Sequence, residues 1–360
     1  MNSVFLLGDR FQKSKDSVTG PLHLALDITN KCNYRCLHCY NASGENCVVN
    51  NELTDEEVLE LINQISKIKP HTFCFCGGEP LLRKDLIVNC SEILYRNGVS
   101  AISAVSNGYY LTEEIADELV QAHVSGIQIS LDGFSKNSCF ELRQNVDAFS
   151  RAVRAIEILS KYKDKISIGV AFCPTKFNTG EFEAVYNFCK ANGVRQLRVQ
   201  PLMIIGRASK HVEEIKPSDE QYVQLIRKIY ELNKSSIQVV SNEKKHVLYK
   251  NPICIEWGDP LDHIFRYREG NDSCYTTMSI KANGDIAPSP YLPLSIGNIR
   301  CHTLQEYWDS GYSKIWKLPI LKKMASTLNT VDDMQCDSMG YNTWIDRDYS
   351  CDIVDEHLME

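Results

Sequence analysis

The sequence predicts an α/β fold built around a parallel sheet, and two observations carry this prediction. Between residues 22 and 200, six apolar runs of strand length alternate with amphipathic helical segments, as in parallel strands joined by right-handed crossovers. Glycine-rich or polar segments directly follow the first four strands, at the ends where parallel sheets collect their active groups. The pattern fits both an open sheet and a sheet curved into a partial barrel.

Each element of this alternation has a local basis in the sequence. The first helix is the clearest, because Thr54 can cap it, Glu57 completes a capping box and Pro70 stops it. Its apolar side chains recur at helical spacing. The predicted strands are 22–29, 71–80, 99–106, 126–131, 165–172 and 195–200. The predicted helices between them are 54–69, 83–97, 112–123, 145–163 and 180–192.

The alternation ends near residue 208, and the rest of the chain predicts a smaller α+β extension. Beyond residue 208 we expect a helix at 218–233, an irregular region at 237–270 and a helix-rich segment at 304–321. Residues 274–299 predict a hairpin around Asn283-Gly284-Asp285, an efficient turn sequence. The predicted division is a lead-in, a main domain, a linking helical segment and an extension, at 1–21, 22–208, 209–253 and 254–360.

Composition limits the classes of function. The 360 residues, 43% of them hydrophobic, are enough for one large or two ordinary domains. A formal charge of −7 without a basic run argues against broad nucleic-acid binding. The sequence has no apolar run of membrane-spanning length and no signal-peptide layout, which predicts a cytoplasmic protein without a membrane partner. In a reducing compartment, its 15 cysteines point to metal binding, catalysis or burial.

Three cysteines follow the first predicted strand within eight residues. Cys32, Cys36 and Cys39 have CxxxCxxC spacing, whereas a structural zinc site normally takes four ligands in two pairs. Three thiolates can instead hold three irons of a four-iron cluster and leave the fourth iron open. A redox motif or half of a zinc ribbon are the alternatives on spacing alone. The segment resembles the cysteine loop of the radical S-adenosylmethionine enzymes.

That resemblance implies a partial (β/α)6 barrel of the TIM type with a [4Fe–4S] cluster and bound S-adenosylmethionine. Gly77-Gly78-Glu79-Pro80 resembles the family's GGEP motif, whose segment binds the methionine amino group. His38 stands where the family places a ring near the adenine. A plain strand-ending turn and a surface histidine are the alternatives.

Further S-adenosylmethionine contacts are implied at the ends of the next strands. Ser106 and Asn107 stand where the family contacts the ribose and the methionine carboxylate, and Ser130 is a further candidate after the fourth strand. Arg143, in a Leu-Arg segment before the helix that contains Phe149, suits a bidentate contact with the methionine carboxylate. The alternative is an exposed arginine at a helix start. Gly206-Arg207-Ala208 resembles a turn found after the sixth strand in peptide-modifying members.

The extension resembles the SPASM and twitch extensions of the family, with a broken cysteine pattern. Cys274, Gly284 and Ser289 match CX9–15GX4C except that serine replaces the last cysteine. Two readings follow. An auxiliary cluster would need an unusual ligand set drawn from Cys254, Cys274, Cys301, Cys336 and Cys351. Otherwise the extension grips the substrate, and a free thiol there donates hydrogen to a product radical; Cys274 and Cys336 are the predicted catalytic residues.

The resemblance implies reductive cleavage of S-adenosylmethionine to a 5′-deoxyadenosyl radical that abstracts hydrogen from a ribosomal precursor peptide. The expected product is a thioether or carbon–carbon cross-link or an epimerised residue. The expected partners are the peptide, a flavodoxin, ferredoxin or other reductase as electron donor, and a separate leader-binding protein. The alternatives are a tetrapyrrole side-chain enzyme of haem or haem d1 synthesis, an enzyme-activating maturase and a non-catalytic metal-binding protein.

Overall fold

The computed structural model describes residues 19–45, 50–240, 246–249, 253–258, 261, 277–334 and 349–358. Its centre is a parallel sheet whose first six strands follow chain order. These strands are β1 (His23–Thr29), β2 (Thr72–Gly77), β3 (Ala101–Ser106), β4 (Gly126–Ser130), β5 (Ser167–Phe172) and β6 (Gln196–Val199). The helices that connect them are α1 (Asp55–Ile68), α2 (Lys84–Arg96), α3 (Glu113–Gln121), α4 (Lys136–Arg143), α5 (Ala148–Ser160) and α6 (Phe182–Ala191). The predicted α/β fold is confirmed.

The sheet has nine strands rather than six, because parts of the extension join both of its edges. The later elements are α7 (Ala208–Ile215), α8 (Asp219–Ser236), β7 (Ile237–Val240), β8 (His246–Tyr249), β9 (Cys254–Trp257), β10 (Thr277–Ile280), β11 (Ile286–Ala287), β12 (Leu294–Ser295), α9 (Leu304–Asp309), α10 (Pro319–Thr327) and β13 (Tyr349–Ser350). The strand order is β11-β10-β1-β2-β3-β4-β5-β6-β9. The prediction of an irregular region at 237–270 is wrong for residues 237–240, 246–249 and 254–257, since β7 pairs with β8 and β9 pairs in parallel with β6.

The predicted single helix at 145–163 is also wrong at its start. Gln144 has a left-handed backbone with φ of 53°, and its N–H closes α4 on the carbonyl of Phe140, so α5 begins only at Ala148. The preceding α4 was not predicted. Its start is capped by Ser135, whose hydroxyl accepts a hydrogen bond from the Ser138 N–H. A capping serine before a polar helix is a weak sequence signal.

The two faces of the sheet differ in chemistry. The face under the helices is apolar and fully buried, as shown by Leu24, Leu26, Phe73, Phe75 and Ile129 at 0% exposure. The opposite face carries polar and small side chains that stay partly exposed. Gln200, just after β6, donates a hydrogen bond to the Tyr291 hydroxyl, which comes from the segment after β11. Residues that follow strands near opposite edges of the sheet therefore meet over its polar face, as in a partial barrel.

The extension packs on the barrel at the β1 edge. The predicted hairpin is confirmed, with β10 and β11 antiparallel around Gly284, and β10 lies parallel to β1. The helix-rich segment comprises α9, a 3₁₀ turn (Tyr312–Lys317) and α10. Among the helices that the structure describes, none combines the length and apolarity needed to cross a membrane.

Candidate functional site

The cysteine loop emerges from the carboxyl end of β1, as predicted. Cys32, Cys36 and Cys39 are free thiols of intermediate burial. Backbone N–H groups of Tyr34 and Ser43 donate to the sulfurs of Cys32 and Cys39, both at 3.4 Å. In the structure, the sulfurs of these three cysteines do not all lie within 4.8 Å of one another. The three sulfurs are therefore farther apart than the ligand atoms of a single metal ion.

The double glycine after β2 packs directly against this loop. A Cβ on Gly77, whose φ is 123°, would lie 2.1 Å from the Thr29 carbonyl oxygen, and one on Gly78 would lie 2.1 Å from that of Lys31. The Gly78 and Glu79 N–H groups donate to the same two carbonyls at 2.8 and 2.9 Å. Glycine is thus required for contact between two backbone segments, in addition to any approach of a ligand.

Glu79 joins the ends of β2 and β3. Its side chain is 0% exposed and accepts hydrogen bonds from the Ser106 hydroxyl and the Asn107 N–H, both at 2.8 Å, and from the Leu81 N–H at 3.0 Å. Burial raises its pKa. The Asn107 side-chain amide continues the network to Asn33 in the cysteine loop at 2.9 Å. Ser106, Asn107 and Glu79 are thereby brought together with the cysteine loop.

Asp132, two residues after β4, forms a second buried centre. Its carboxylate lies 2.5 Å from the Arg143 guanidinium and 3.4 Å from the His38 Nε2, and it accepts the Cys173 N–H at 2.8 Å. Arg143 ends α4 and is buried, so the alternative of an exposed arginine at a helix start is wrong. Burial lowers the pKa of His38 to about 4. Ser130, at the end of β4, makes no side-chain hydrogen bond to a described residue.

The Gly206-Arg207 turn braces the cysteine loop from outside. Gly206 has φ of 61°, and a Cβ there would lie 2.1 Å from the Tyr40 carbonyl oxygen. The Arg207 guanidinium donates to the carbonyls of Cys36 and Ser43 at 2.9 and 3.0 Å and pairs with Glu45. The Arg207 N–H also donates to the Cys39 carbonyl at 2.9 Å. This role of Arg207 was not predicted.

Polar residues inside the barrel were also missed. Asp27 of β1 accepts a hydrogen bond from Asn41, and burial raises its pKa to about 6. The rings of Tyr40 and Tyr291 meet edge to face at 5.1 Å, beneath the cysteine loop. Parallel strands that are buried on both faces are apolar throughout. The alternation of apolar and polar residues in β1 and β6 could therefore have indicated that one face of the sheet is polar.

The predicted catalytic residues Cys274 and Cys336 lie outside the described residues. Of the other proposed auxiliary ligands, Cys254 and Cys301 are exposed, whereas Cys351 is buried beside the Ser295 carbonyl. Ser289, which replaces the expected cysteine, is 0% exposed, and its hydroxyl accepts the Tyr291 N–H at 3.3 Å. At this position, the hydroxyl takes part in a turn.

The residues around the loop suit a cluster and a polar ligand. The donors are three thiols of the kind that holds iron–sulfur clusters. Three buried nitrogens close to the loop make no hydrogen bond to described residues, namely Asn33 Nδ2, His38 Nδ1 and Arg143 Nε. Buried polar atoms are rarely left without a partner, so these nitrogens indicate that polar ligand atoms bind here.

Comparisons with known proteins agree with this geometry. Residues 26–189 match the model of the Radical SAM superfamily. The chain is 28% identical over 300 residues to an AdoMet-dependent heme synthase of Methanosarcina barkeri, covering 81% of this chain and 83% of that protein. It is 26% identical over 289 residues to the sporulation killing factor maturation protein SkfB of Bacillus subtilis, covering 78% of this chain and 62% of that protein.

A solved structure shares the fold. Native anSMEcpe with bound AdoMet and Cp18Cys peptide superposes with a TM-score of 0.61 at 16% identity, covering 94% of both chains. The cysteine loop, the barrel and the matched residues lead to one conclusion. Residues 26–189 form a Radical SAM superfamily domain, and the protein is a radical SAM enzyme whose superfamily cofactors are a [4Fe–4S] cluster and S-adenosylmethionine.

Proposed function

We propose that this enzyme modifies a ribosomally made peptide whose reacting segment enters the barrel beneath the cysteine loop. The reaction class is formation of a thioether or carbon–carbon cross-link, or epimerisation at Cα. When bound, the cluster and S-adenosylmethionine would supply a 5′-deoxyadenosyl radical that abstracts hydrogen from the peptide. The residues of this chain bind and orient both molecules and exclude water from the radical.

The polar lining of the barrel is the observation that supports a peptide. Partly exposed interior positions on successive strands carry hydrogen-bonding side chains, and these include Asp27, Ser103, Gln128, Ser130, Arg198 and Gln200. A peptide backbone presents one donor and one acceptor at nearly every residue, which such a lining can satisfy. The flat ring of a tetrapyrrole, apart from its propionates, would instead favour apolar walls.

The site residues receive distinct roles in this proposal. Cys32, Cys36 and Cys39 hold the cluster. Gly77, Gly78 and Glu79 shape the pocket for the methionine part of S-adenosylmethionine, with Ser106 and Asn107 beside them. Arg143 and His38 offer buried nitrogens towards the same ligand, and Ser130 lies at the mouth of the barrel. Cys274 and Cys336 remain the proposed thiols of the extension, for hydrogen donation or an auxiliary cluster.

A tetrapyrrole substrate is the second candidate, and the similarity to the archaeal heme synthase favours it. That similarity spans most of both chains, whereas the likeness to the peptide-bound structure shows the fold alone. The lining of the barrel argues the other way. The two candidates differ in which substrate the enzyme converts, and a single experiment can measure this.

The test uses the anaerobically reconstituted protein with S-adenosylmethionine and a low-potential reductant. It is incubated in parallel with short peptides encoded beside its gene and with tetrapyrrole precursors of haem. We expect 5′-deoxyadenosine and a peptide product that has lost two hydrogens, or one that gains deuterium from D2O at an inverted centre. The control is the variant in which Cys32, Cys36 and Cys39 are replaced by alanine.

The outcomes are separable. A tetrapyrrole product without a peptide product would establish the second candidate. Failure of the wild type to bind iron or to form 5′-deoxyadenosine would contradict the whole proposal. Persistence of about four irons per chain in the triple alanine variant would establish an auxiliary cluster in the extension.

A further inference from the structure

Arg198 places a charge inside the barrel that no described acidic group neutralises. It is the third residue of β6 and lies on the polar face of the strand, between the buried Leu197 and Val199. Its Nε is buried and has no hydrogen-bond partner in the described chain. No described carboxylate lies within the 4.0 Å of an ion pair.

The carboxylate that is in register with Arg198 on the neighbouring strand bonds to a different side chain. Glu256 of β9 stands opposite Arg198 in the strand register, but its carboxylate accepts a hydrogen bond from the Gln196 side chain. Gly258 follows on the same chain segment, and a Cβ there would lie 2.6 Å from the Arg198 Nε. The absence of a side chain at Gly258 thus makes room for the guanidinium.

The surroundings of Arg198 connect it to the cysteine loop. Burial raises the pKa of Tyr291, and the nearby Arg198 guanidinium opposes that rise. Tyr291 accepts the hydrogen bond of Gln200 and contacts Tyr40, the residue directly after Cys39. Arg198 therefore faces the same interior space as the residues beneath the cysteine loop.

The Arg198 side chain is partly exposed, but its buried Nε lacks a hydrogen-bond partner among described residues, and leaving a buried polar atom unpaired is costly. The planar fork of guanidinium donors matches a carboxylate in two parallel hydrogen bonds. Gln200 and Tyr291 offer further polar atoms beside it. Together these features describe half of an anion site whose other half is supplied by a ligand.

We propose that Arg198 anchors a carboxylate of the substrate inside the barrel and so sets which part of the substrate faces the radical. The inference rests on the proposed function, because it assumes that the substrate enters the barrel. The carboxylate belongs either to an acidic residue or C-terminus of a peptide or to a propionate of a tetrapyrrole. Both sources present the same group to the guanidinium.

Thermal unfolding of the reconstituted protein with millimolar probes tests the assignment. The probes are acetylated and amidated Gly-Glu-Gly, its Gly-Gln-Gly counterpart, coproporphyrin III and the tetramethyl ester of coproporphyrin III. We expect one acid to raise the melting temperature while its neutral counterpart does not, since a ligand of the native state stabilises it. The acid that binds identifies the source of the carboxylate.

Variants decide whether Arg198 is responsible. Arg198→Met keeps the aliphatic stem and should weaken binding of the acid at least about tenfold, as expected for loss of a charged hydrogen-bonding partner. Arg198→Lys should retain part of the affinity. Glu256→Gln is the matched control and should bind as the wild type does. Without a probe, Arg198→Met should melt no lower than the wild type, because it removes a buried nitrogen that has no hydrogen-bond partner among described residues.

Several results would overturn the assignment. These are unchanged binding by Arg198→Met, equal binding of neutral and acidic probes, or no binding of either acid to the wild type. A clear loss of probe-free stability in Arg198→Met would assign a structural role instead. Formation of 5′-deoxyadenosine is measured separately on the wild type, so a failure of the proposed function is distinguishable from a failure of the anchor.

Discussion

At the scale of single residues, Asp132 shows how one buried carboxylate organises several functional groups. It faces Arg143 and His38 and also accepts a backbone N–H. Asp132→Asn would leave the Arg143 guanidinium buried without its counter-charge. Removing one partner of a buried pair costs about 3–5 kcal/mol. We expect the free energy of unfolding in urea at pH 7 to fall by an amount of this order in the metal-free protein.

Glu113→Gln is the control for Asp132→Asn. It removes the partner of Lys161 in an exposed ion pair, where little stability is at stake. If both substitutions reduce the stability equally, Arg143 must have found another partner, and Asp132 would lose its assigned role.

Gly77 offers a sharper test of how the loops fit. Gly77→Ala places a methyl group 2.1 Å from the Thr29 carbonyl oxygen, so the cysteine loop must move. Gly98→Ala is the matched control, because Gly98 also has a positive φ, of 93°, but no atom within 4 Å of the added Cβ. Only Gly77→Ala should lower the iron and sulfide content after anaerobic reconstitution. Both substitutions should lower the free energy of unfolding by roughly 1–2 kcal/mol, because a residue with a Cβ is strained in a left-handed backbone conformation.

Equal iron content in wild type, Gly77→Ala and Gly98→Ala would show that the cysteine loop tolerates displacement. The double glycine would then serve the bound ligand rather than the contact between the two loops.

At the scale of elements, the cysteine loop is held from two sides, by the double-glycine turn and by the start of α7. Arg207→Met removes the donors to the carbonyls of Cys36 and Ser43, each a charge-assisted bond contributing about 1.5–3 kcal/mol. We expect an iron chelator to remove the reconstituted cluster severalfold faster from this variant than from the wild type. The loss of the cluster's visible absorbance measures this rate. Lys210→Met is the control, because Lys210 lines the same surface depression. Equal rates in the two variants would contradict the bracing role.

The elements differ in how far sequence could predict them. The first six strands and the cysteine loop were predictable, because apolar runs and cysteine spacing are local signals. The role of β9 was not, since its four residues become a strand only through pairing with β6. The proximity of Arg198 to Tyr291 depends on the curvature of the sheet, which no local pattern specifies. Likewise, the sequence drew attention to Arg143, but its pairing with Asp132 became evident only from the packing of α4.

At the scale of the whole molecule, the extension completes the barrel. Tyr291 from the extension reaches Gln200 after β6 and Tyr40 after the cysteine loop. The barrel interior therefore has one wall that belongs to the extension, whether or not that part also binds a metal cluster. A change in how the extension sits on the barrel would alter the space beneath the cysteine loop.

The attachment of the extension includes an ion pair that depends on pH. Arg300 donates two hydrogen bonds to Glu57 of α1, at 2.6 and 2.9 Å. The hydrogen bonds from Arg300, followed by that from the Thr54 N–H, lower the pKa of Glu57 from 4.5 to about 2. The stabilisation from a carboxyl with a lowered pKa is complete above its unfolded pKa and is lost as the pH falls through its folded pKa.

Glu57→Gln should therefore destabilise the protein at pH 6, and the difference from the wild type should shrink between pH 4.5 and pH 2, the two pKa values of Glu57. Urea unfolding at several pH values measures this difference. Glu56→Gln, in the same helical turn but without an ion pair to any described residue, should show no such pH dependence. A constant difference between Glu57→Gln and the wild type across this range would mean that Arg300 holds the extension through its contacts with the backbone carbonyls of Asn51 and Glu52, independently of the charge on Glu57.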